Sequence, residues 1–182
     1  MKRITTHVFL PVLVTVFALG ILFLPAQSAY AGEADAPQLI VTRTPIAPLA
    51  KDAAEAALSN LFKREQNWVN QQTTHLQKSA QIAATTQQLI DAARAEGQDV
   101  SVLEAALVQF NATIAGAQAD HDQAAGIIAS ANGFDGSGNV TDLNSARQTV
   151  EGARLALRSA HIAIAQATND LVKVLNEWKN SH

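Results

Sequence analysis

Two histidines stand at positions where the pattern of apolar residues calls for an apolar side chain. His121 lies between Ile114 and Ile128 in one apolar series, and His75 occupies the matching kind of position in another. In a helical bundle the two lie at about the same level as Glu151. Two imidazoles and a carboxylate are ligands for zinc or copper. One interpretation is therefore a metal site formed by His75, His121 and Glu151.

The alternative interpretation is structural. A histidine on an apolar face often packs its ring and directs one nitrogen to water or a neighbour. Metal-binding histidine pairs on one helix usually lie four residues apart, and the five histidines of this chain include no such pair. A buried pair could instead respond to pH, because burial disfavours the protonated ring. The structural layer is the favoured prediction, with ligand or divalent-metal binding as the alternative.

A loop that begins with Asp135, Ser137 and Asn139 has the opening spacing of a calcium-binding loop. Such loops need Gly at the sixth position and Glu at the twelfth, where this chain has Val140 and Ala146. The segment is therefore predicted to be a turn. The sequence also has no cysteine, no Gly-rich phosphate loop and no nucleophile motif. We predict a protein that is not an enzyme and has no cofactor.

The elements that would position these residues are long helices. From Leu143 to Trp178, eleven apolar residues follow one another at alternating steps of three and four, which only a helix brings onto one face. This predicts a helix over about 141–179, capped by Thr141 or Asp142. A second helix is predicted over about 101–132, with Ser101 and Glu104 as a capping box. Its apolar series includes Leu103, Leu107, Phe110, Ile114, Ala117, His121, Ala124, Ile128 and Ala131.

The first helix is predicted over about 48–96, with Gly97 ending it at positive φ. Two neighbouring columns of seven-residue spacing form its apolar face, which suits a helix that contacts two neighbours, and the column that flanks them is mostly polar. The apolar columns are Leu61, Trp68, His75, Ile82, Leu89 and Phe62, Val69, Leu76, Ala83, Ile90; the polar one is Glu65, Gln72, Ser79, Thr86, Ala93.

Three long helices with short connections predict an all-α fold, an elongated up-down-up antiparallel three-helix coiled-coil bundle. Turns centred near Gln98 and Gly136 would place Arg154 level with Asp120 and Asp122, so that acids of the second helix pair with the third. The same register leaves both bundle ends overhanging with apolar side chains, which are candidate contact surfaces. The interface candidates are Leu58, Leu61, Phe62, Val174, Leu175 and Trp178.

Residues 1–31 resemble an export signal. Lys2 and Arg3 precede an uncharged apolar stretch from Val8 to Leu24, and Ala29-Tyr30-Ala31 fits the cleavage rule. The alternative is an uncleaved anchor, although about 17 residues is the short limit for a spanning helix. Residues 32–47, with Pro37 and Pro45, are predicted to be an extended arm. The domain organisation is therefore a signal segment, an arm, and a bundle over 48–182.

Charge sets the expected partners. Cleavage would reduce 13 basic residues to 11 against 16 acidic ones, a net charge of −5. Because we see no basic stripe in the sequence, we expect no nucleic-acid partner. Membrane contact is expected only through an uncleaved N-terminal segment.

In being small, helical and exported, the chain resembles small exported helical proteins, including periplasmic chaperones. It lacks the repeated Leu-Thr-x-x-Gln motif of those chaperones, so no family is assigned. The predicted function is a secreted, periplasmic or cell-surface protein that acts as a structural, chaperone-like or protein-interaction module. A protein partner or self-association is expected.

Overall fold

The computed structural model describes residues 48–181, which form three helices packed together. Helix α1 is Pro48–Ala95, helix α2 is Ser101–Ser130 and helix α3 is Leu143–Ser181. These bounds lie within two residues of the predicted ones. The predicted signal segment and arm, residues 1–47, lie outside the described residues, as does His182.

Helix α1 runs unbroken and ends where the sequence predicted. Gly97 has φ +79°, a conformation that costs a residue without a side chain little, and the Gln98 amide donates to the Ala93 carbonyl at 3.0 Å. The predicted capping box at the start of α2 is wrong. The Asp99 carboxylate accepts from the Ser101 amide at 3.0 Å, while Glu104 pairs with Arg94 of α1. A nearby guanidinium is a stronger partner for the Glu104 carboxylate than a backbone amide.

The segment between α2 and α3 folds back against the bundle end. Phe134 and Val140 form an isolated antiparallel bridge, and Phe134 stacks on Phe62 of α1 with ring centroids 4.1 Å apart. Gly133 has φ +85°, and a Cβ there would lie 2.1 Å from the Ala146 amide nitrogen, so only glycine fits. Asp142 caps α3, as predicted, because its carboxylate accepts from the Ser145 amide at 2.7 Å.

The core confirms the predicted apolar series on α2 and α3. Most of their members are buried, and the largest cluster joins the end of α1 to the end of α3. A second cluster joins the start of α1 to the start of α3 and the intervening loop. Between these two clusters, the contact between the helices is rich in alanine. Two smaller clusters there contain Ala117, Ala124, Ala156, Leu157, Ala160, Ile164 and Leu76.

The buried face of α1 includes both predicted apolar columns, whose ten members are all at least partly buried, and it also includes the polar column that flanks them. The mostly polar column is deeply buried: Glu65, Ser79 and Thr86 are 0% exposed. The two apolar columns lie on either side of it, and in the first of them Leu61, Trp68 and His75 are half-buried. A helix between two neighbours buries the line midway between its apolar columns, whatever residues stand there.

The register between α2 and α3 also differs from the prediction. Asp120 accepts a hydrogen bond from the Ser159 hydroxyl at 2.6 Å, and Ile127 lies against Gly152. Ser159 stands where Arg154 was expected, a shift of about five residues or roughly 8 Å along the helix. The loop packs Gly133 against the first turn of α3 and is not a turn centred on Gly136, as the predicted register assumed. This displaces α3 along its axis relative to α2.

Because of this shift, the bundle ends are covered by the chain itself. Leu58 and Phe62 are buried in the loop-end cluster, and Leu175 and Trp178 are buried in the largest cluster. The Trp178 indole also donates to the Asp99 carbonyl at 2.8 Å. Leu61 and Val174 are half-buried. The exposed overhangs expected from the sequence are therefore not present in residues 48–181.

Candidate functional site

His121 lies in a buried polar layer between α1 and α2. Its Nδ1 is 3.2 Å from the Gln72 side-chain oxygen, and its Nε2 is 3.2 Å from the Thr73 hydroxyl. The Gln72 side-chain nitrogen donates to the Leu157 carbonyl of α3 at 2.9 Å. One glutamine therefore links all three helices at the level of His121.

The partners of His121 fix its hydrogen-bonding roles. Because the Gln72 amide nitrogen donates to Leu157, its oxygen faces His121 and must accept the Nδ1 proton. Nε2 of the neutral ring then accepts from the Thr73 hydroxyl. The Thr73 hydroxyl oxygen also lies 3.1 Å from the Val69 carbonyl oxygen, so the hydroxyl can donate its proton to that carbonyl as an alternative. The layer thus gives both ring nitrogens of His121 a hydrogen-bond partner.

The structure does not bring the three predicted metal ligands together. His121 bonds to α1 through Gln72 and Thr73, whereas His75 lies on the flank of α1 that faces His161 of α3. Glu151 is exposed on α3, more than a turn from Leu157. Residues 48–181 contain no group of three His, Asp or Glu side chains that could hold a metal ion. Metal binding remains a prediction that no contact in the structure favours.

The loop with calcium-like spacing is held by its own side chains. One Asp135 carboxylate oxygen accepts from the Ser137 and Asn139 amides, both at 2.8 Å, and the other accepts from the Asn139 side chain at 3.0 Å. These bonds favour the charged carboxylate and hold the pKa of Asp135 below its usual value. The arrangement is that of a turn stabilised by an aspartate, as the sequence predicted.

A surface that the sequence analysis missed lies where α1 and α3 meet. Arg147, Arg154 and His161 recur every seven residues on α3 and so share one face of the helix. His161 contacts Trp68 of α1, with ring centroids 6.3 Å apart at 62°. The column of arginines therefore runs beside α1. Arg158, three residues before His161, lies on the same side.

Helix α1 adds cations to this surface. Arg64 lies one turn before Trp68, and Lys78 lies one turn after His75. Burial lowers the pKa of His75, and its electrostatic interactions with Lys78 and His161 lower it further. Phe62 and Val150 share a cluster, so Arg64 lies level with the start of the arginine column. We call this surface the basic strip. It comprises Arg64, Trp68, His75, Lys78, Arg147, Arg154, Arg158 and His161.

The arginines of α3 have no acidic partner in the described structure. Arg147, Arg154 and Arg158 form no ion pair within residues 48–181, and the predicted pairing with the acids of α2 is absent there. Asp120 bonds to Ser159 instead. The seven-residue spacing of Arg147, Arg154 and His161 was the available signal. That spacing alone does not show that this face of α3 borders α1.

Within residues 48–181, no helix combines the length and the hydropathy needed to cross a membrane. In comparisons with known proteins, the chain matches no family model, no curated protein and no solved structure.

Proposed function

We propose that this chain is a non-enzymatic, exported helical protein that works by binding another macromolecule, as a structural, chaperone-like or protein-interaction module. The observation that carries the proposal is the basic strip. Three arginines recur along one exposed side of α3 without an acidic partner in residues 48–181. In a protein of net charge −3, such a local excess of one sign is a common feature of a surface that meets a partner.

Exposed apolar side chains support the same surface. Leu155 is 69% exposed and Ile162 is 43% exposed, and the two lie about two helical turns apart on α3. Both stand next to Arg158 by helical spacing. Aliphatic side chains beside cations offer a partner both burial and charge, which neither feature offers alone.

The proposed arrangement of the helices is up-down-up, as an antiparallel coiled coil. Support comes from the clusters, which join the start of α1 to the start of α3 and the end of α1 to the end of α3. The steps of three and four in the α3 series further support coiled-coil packing. Export rests on the sequence of residues 1–31 alone.

Site-specific crosslinking in the source cell tests the binding function. A photoreactive residue replaces Leu155 beside the basic strip, and the matched control replaces Val108, which is equally exposed at 69% but on α2. We expect a discrete crosslinked protein product at position 155 and none at position 108. No product at position 155, or the same products at both positions, would contradict the proposal.

Export has a separate test. We expect a C-terminally tagged full-length chain to fractionate outside the cytoplasm, with an N-terminus at Gly32 if the signal is cleaved. An intact N-terminus in the membrane fraction would indicate the anchor instead. A tagged chain that stays in the cytoplasm would remove the export part of the proposal.

A further inference from the structure

The chemistry of the basic strip narrows the kind of partner that it fits. Four of its five permanent cations are arginines: Arg64, Arg147, Arg154 and Arg158. The guanidinium group presents a planar fork of donors that matches carboxylate and phosphate oxygens. This composition favours an anionic partner with planar or tetrahedral oxyanions over a general polar one.

The acids near the strip leave most of its charge uncompensated. Arg64 bonds to Glu65 at 3.2 Å, but that carboxylate is buried and its second oxygen has no hydrogen-bond partner among the described residues. Glu151 is exposed between Arg147 and Arg154 along α3, and it forms no ion pair within residues 48–181. A lone carboxylate among three arginines leaves a net positive surface.

The electrostatics at His75 are consistent with a net positive surface. Besides burial, electrostatic interactions with Lys78 and His161, one on each helix, lower the pKa of His75. A further positive charge is therefore disfavoured where α1 meets α3. A partner that brings negative charge to the strip would relieve the same repulsion.

The size of the strip suits a short segment. Arg147 and Arg158 lie eleven residues apart, or roughly 16 Å along the helix. An extended peptide covers that length with about five residues. A long polyanion is disfavoured, because the whole chain has a net charge of −3 and a pI of about 5.9, while nucleic-acid-binding domains are typically strongly basic.

The exposed aliphatic residues decide between polypeptide and nucleic acid. Leu155 and Ile162 border the arginines, and they offer nothing to a sugar-phosphate backbone. They would bury an apolar side chain of a peptide, with the arginines binding its carboxylates. We propose that the basic strip binds a short acidic segment of a partner polypeptide that also presents an apolar side chain to Leu155 and Ile162.

This inference rests on the proposed binding function and names the partner's chemistry. The test uses the protein as the cell produces it and a fluorescent twelve-residue peptide containing four Glu and two Leu. The matched peptide has Gln in place of each Glu. Anisotropy is measured at 50 and 200 mM NaCl. We expect the Glu peptide to bind, to weaken at the higher salt concentration, and to bind at least about tenfold more tightly than the Gln peptide.

Charge reversal locates the site. Arg154→Glu with Arg158→Glu is expected to weaken binding of the Glu peptide at least about tenfold, since two attractive charges become repulsive. The control, Lys51→Glu with Lys173→Glu, changes the net charge equally at exposed positions outside the strip and is expected to change binding less than about twofold. Circular dichroism and melting show whether each variant is folded.

Each of the following outcomes would overturn the proposal. Absence of Glu-peptide binding by the folded protein does so directly. Tighter binding of a twelve-nucleotide oligo-dT would assign the strip to nucleic acid. Peptide binding that appears only after removal of residues 32–47 would assign it to Glu33 and Asp35 of this chain. A dimer that only the Arg154 and Arg158 variant loses would assign it to a second copy. A crosslinked partner without peptide binding would leave the binding function standing and remove this inference.

Discussion

Helices α1 and α3 each have a central buried line, the row of residues that faces the other two helices, and the two lines have opposite chemistry. On α3 the most deeply buried residues are all apolar: Ala146, Ala153, Leu157, Ala160 and Leu171 are at most 1% exposed. On α1 the line is polar over four successive positions: Glu65, Gln72, Ser79 and Thr86. Both lines are equally hidden from water. Burial in this protein is therefore set by where a helix lies between its neighbours, and not by the polarity of each residue.

The two lines also differ in how well their polar groups are satisfied. Gln72 bonds to α2 and α3, and the Ser79 hydroxyl donates to the His75 carbonyl of its own helix. The Thr86 hydroxyl and one Glu65 oxygen have no hydrogen-bond partner among the described residues. A buried polar group without a partner costs free energy, whereas alanines let helices pack closely at no such cost. We infer that α1 is held less tightly than α2 and α3 hold each other.

The largest expected effect is on the apolar line. Leu171→Ala removes a side chain that is 1% exposed in the largest cluster and should lower the free energy of unfolding by about 2–5 kcal/mol. Ser79→Ala, equally buried on α1, should change it by less than about 0.5 kcal/mol, since its hydrogen bond is local and alanine favours helix. Urea denaturation measures both. Similar losses for the two variants would contradict the contrast.

A smaller effect is expected at the polar layer. Gln72→Ala leaves His121 Nδ1 without its acceptor and should cost about 1–3 kcal/mol. The neighbouring exposed Gln71→Ala is the control, with an expected change within about 0.5 kcal/mol. The Gln72→Ala and His121→Leu changes should couple by about 0.5–3 kcal/mol in a double-mutant cycle. Additive losses would show that the layer is not a unit.

The sequence predicted the helices better than it predicted the layers between them. The sequence was sufficient to predict the apolar series on α2 and α3, because helical spacing gives a periodic pattern. It was also sufficient to predict the glycine after α1, because a positive φ favours glycine. The burial of Glu65 and Thr86 was not readable, because a polar residue on a buried line looks like one on a solvent face. The basic strip depends on which side of α3 packs against Trp68, and no single helix contains that information.

The smallest expected effect is a gain in stability. Thr86→Val keeps the side-chain shape and removes a buried hydroxyl that has no partner among the described residues, so it should stabilise the fold by about 1–2 kcal/mol. Thr168→Val is the matched control, because the Thr168 hydroxyl donates to the Ile164 carbonyl at 2.8 Å. It should give no gain. Thermal unfolding by circular dichroism distinguishes them, and equal shifts would refute the explanation.

Native-state hydrogen exchange compares the two regions most directly. If α1 is the less tightly held helix, amides at the centre of α1, around Gln72 and Ser79, will exchange with a lower opening free energy than those around Leu157 and Leu171 of α3. Amides at the centre of α2 will match those of α3. Equal protection in all three helices, or stronger protection in α1 than in α3, would contradict the account.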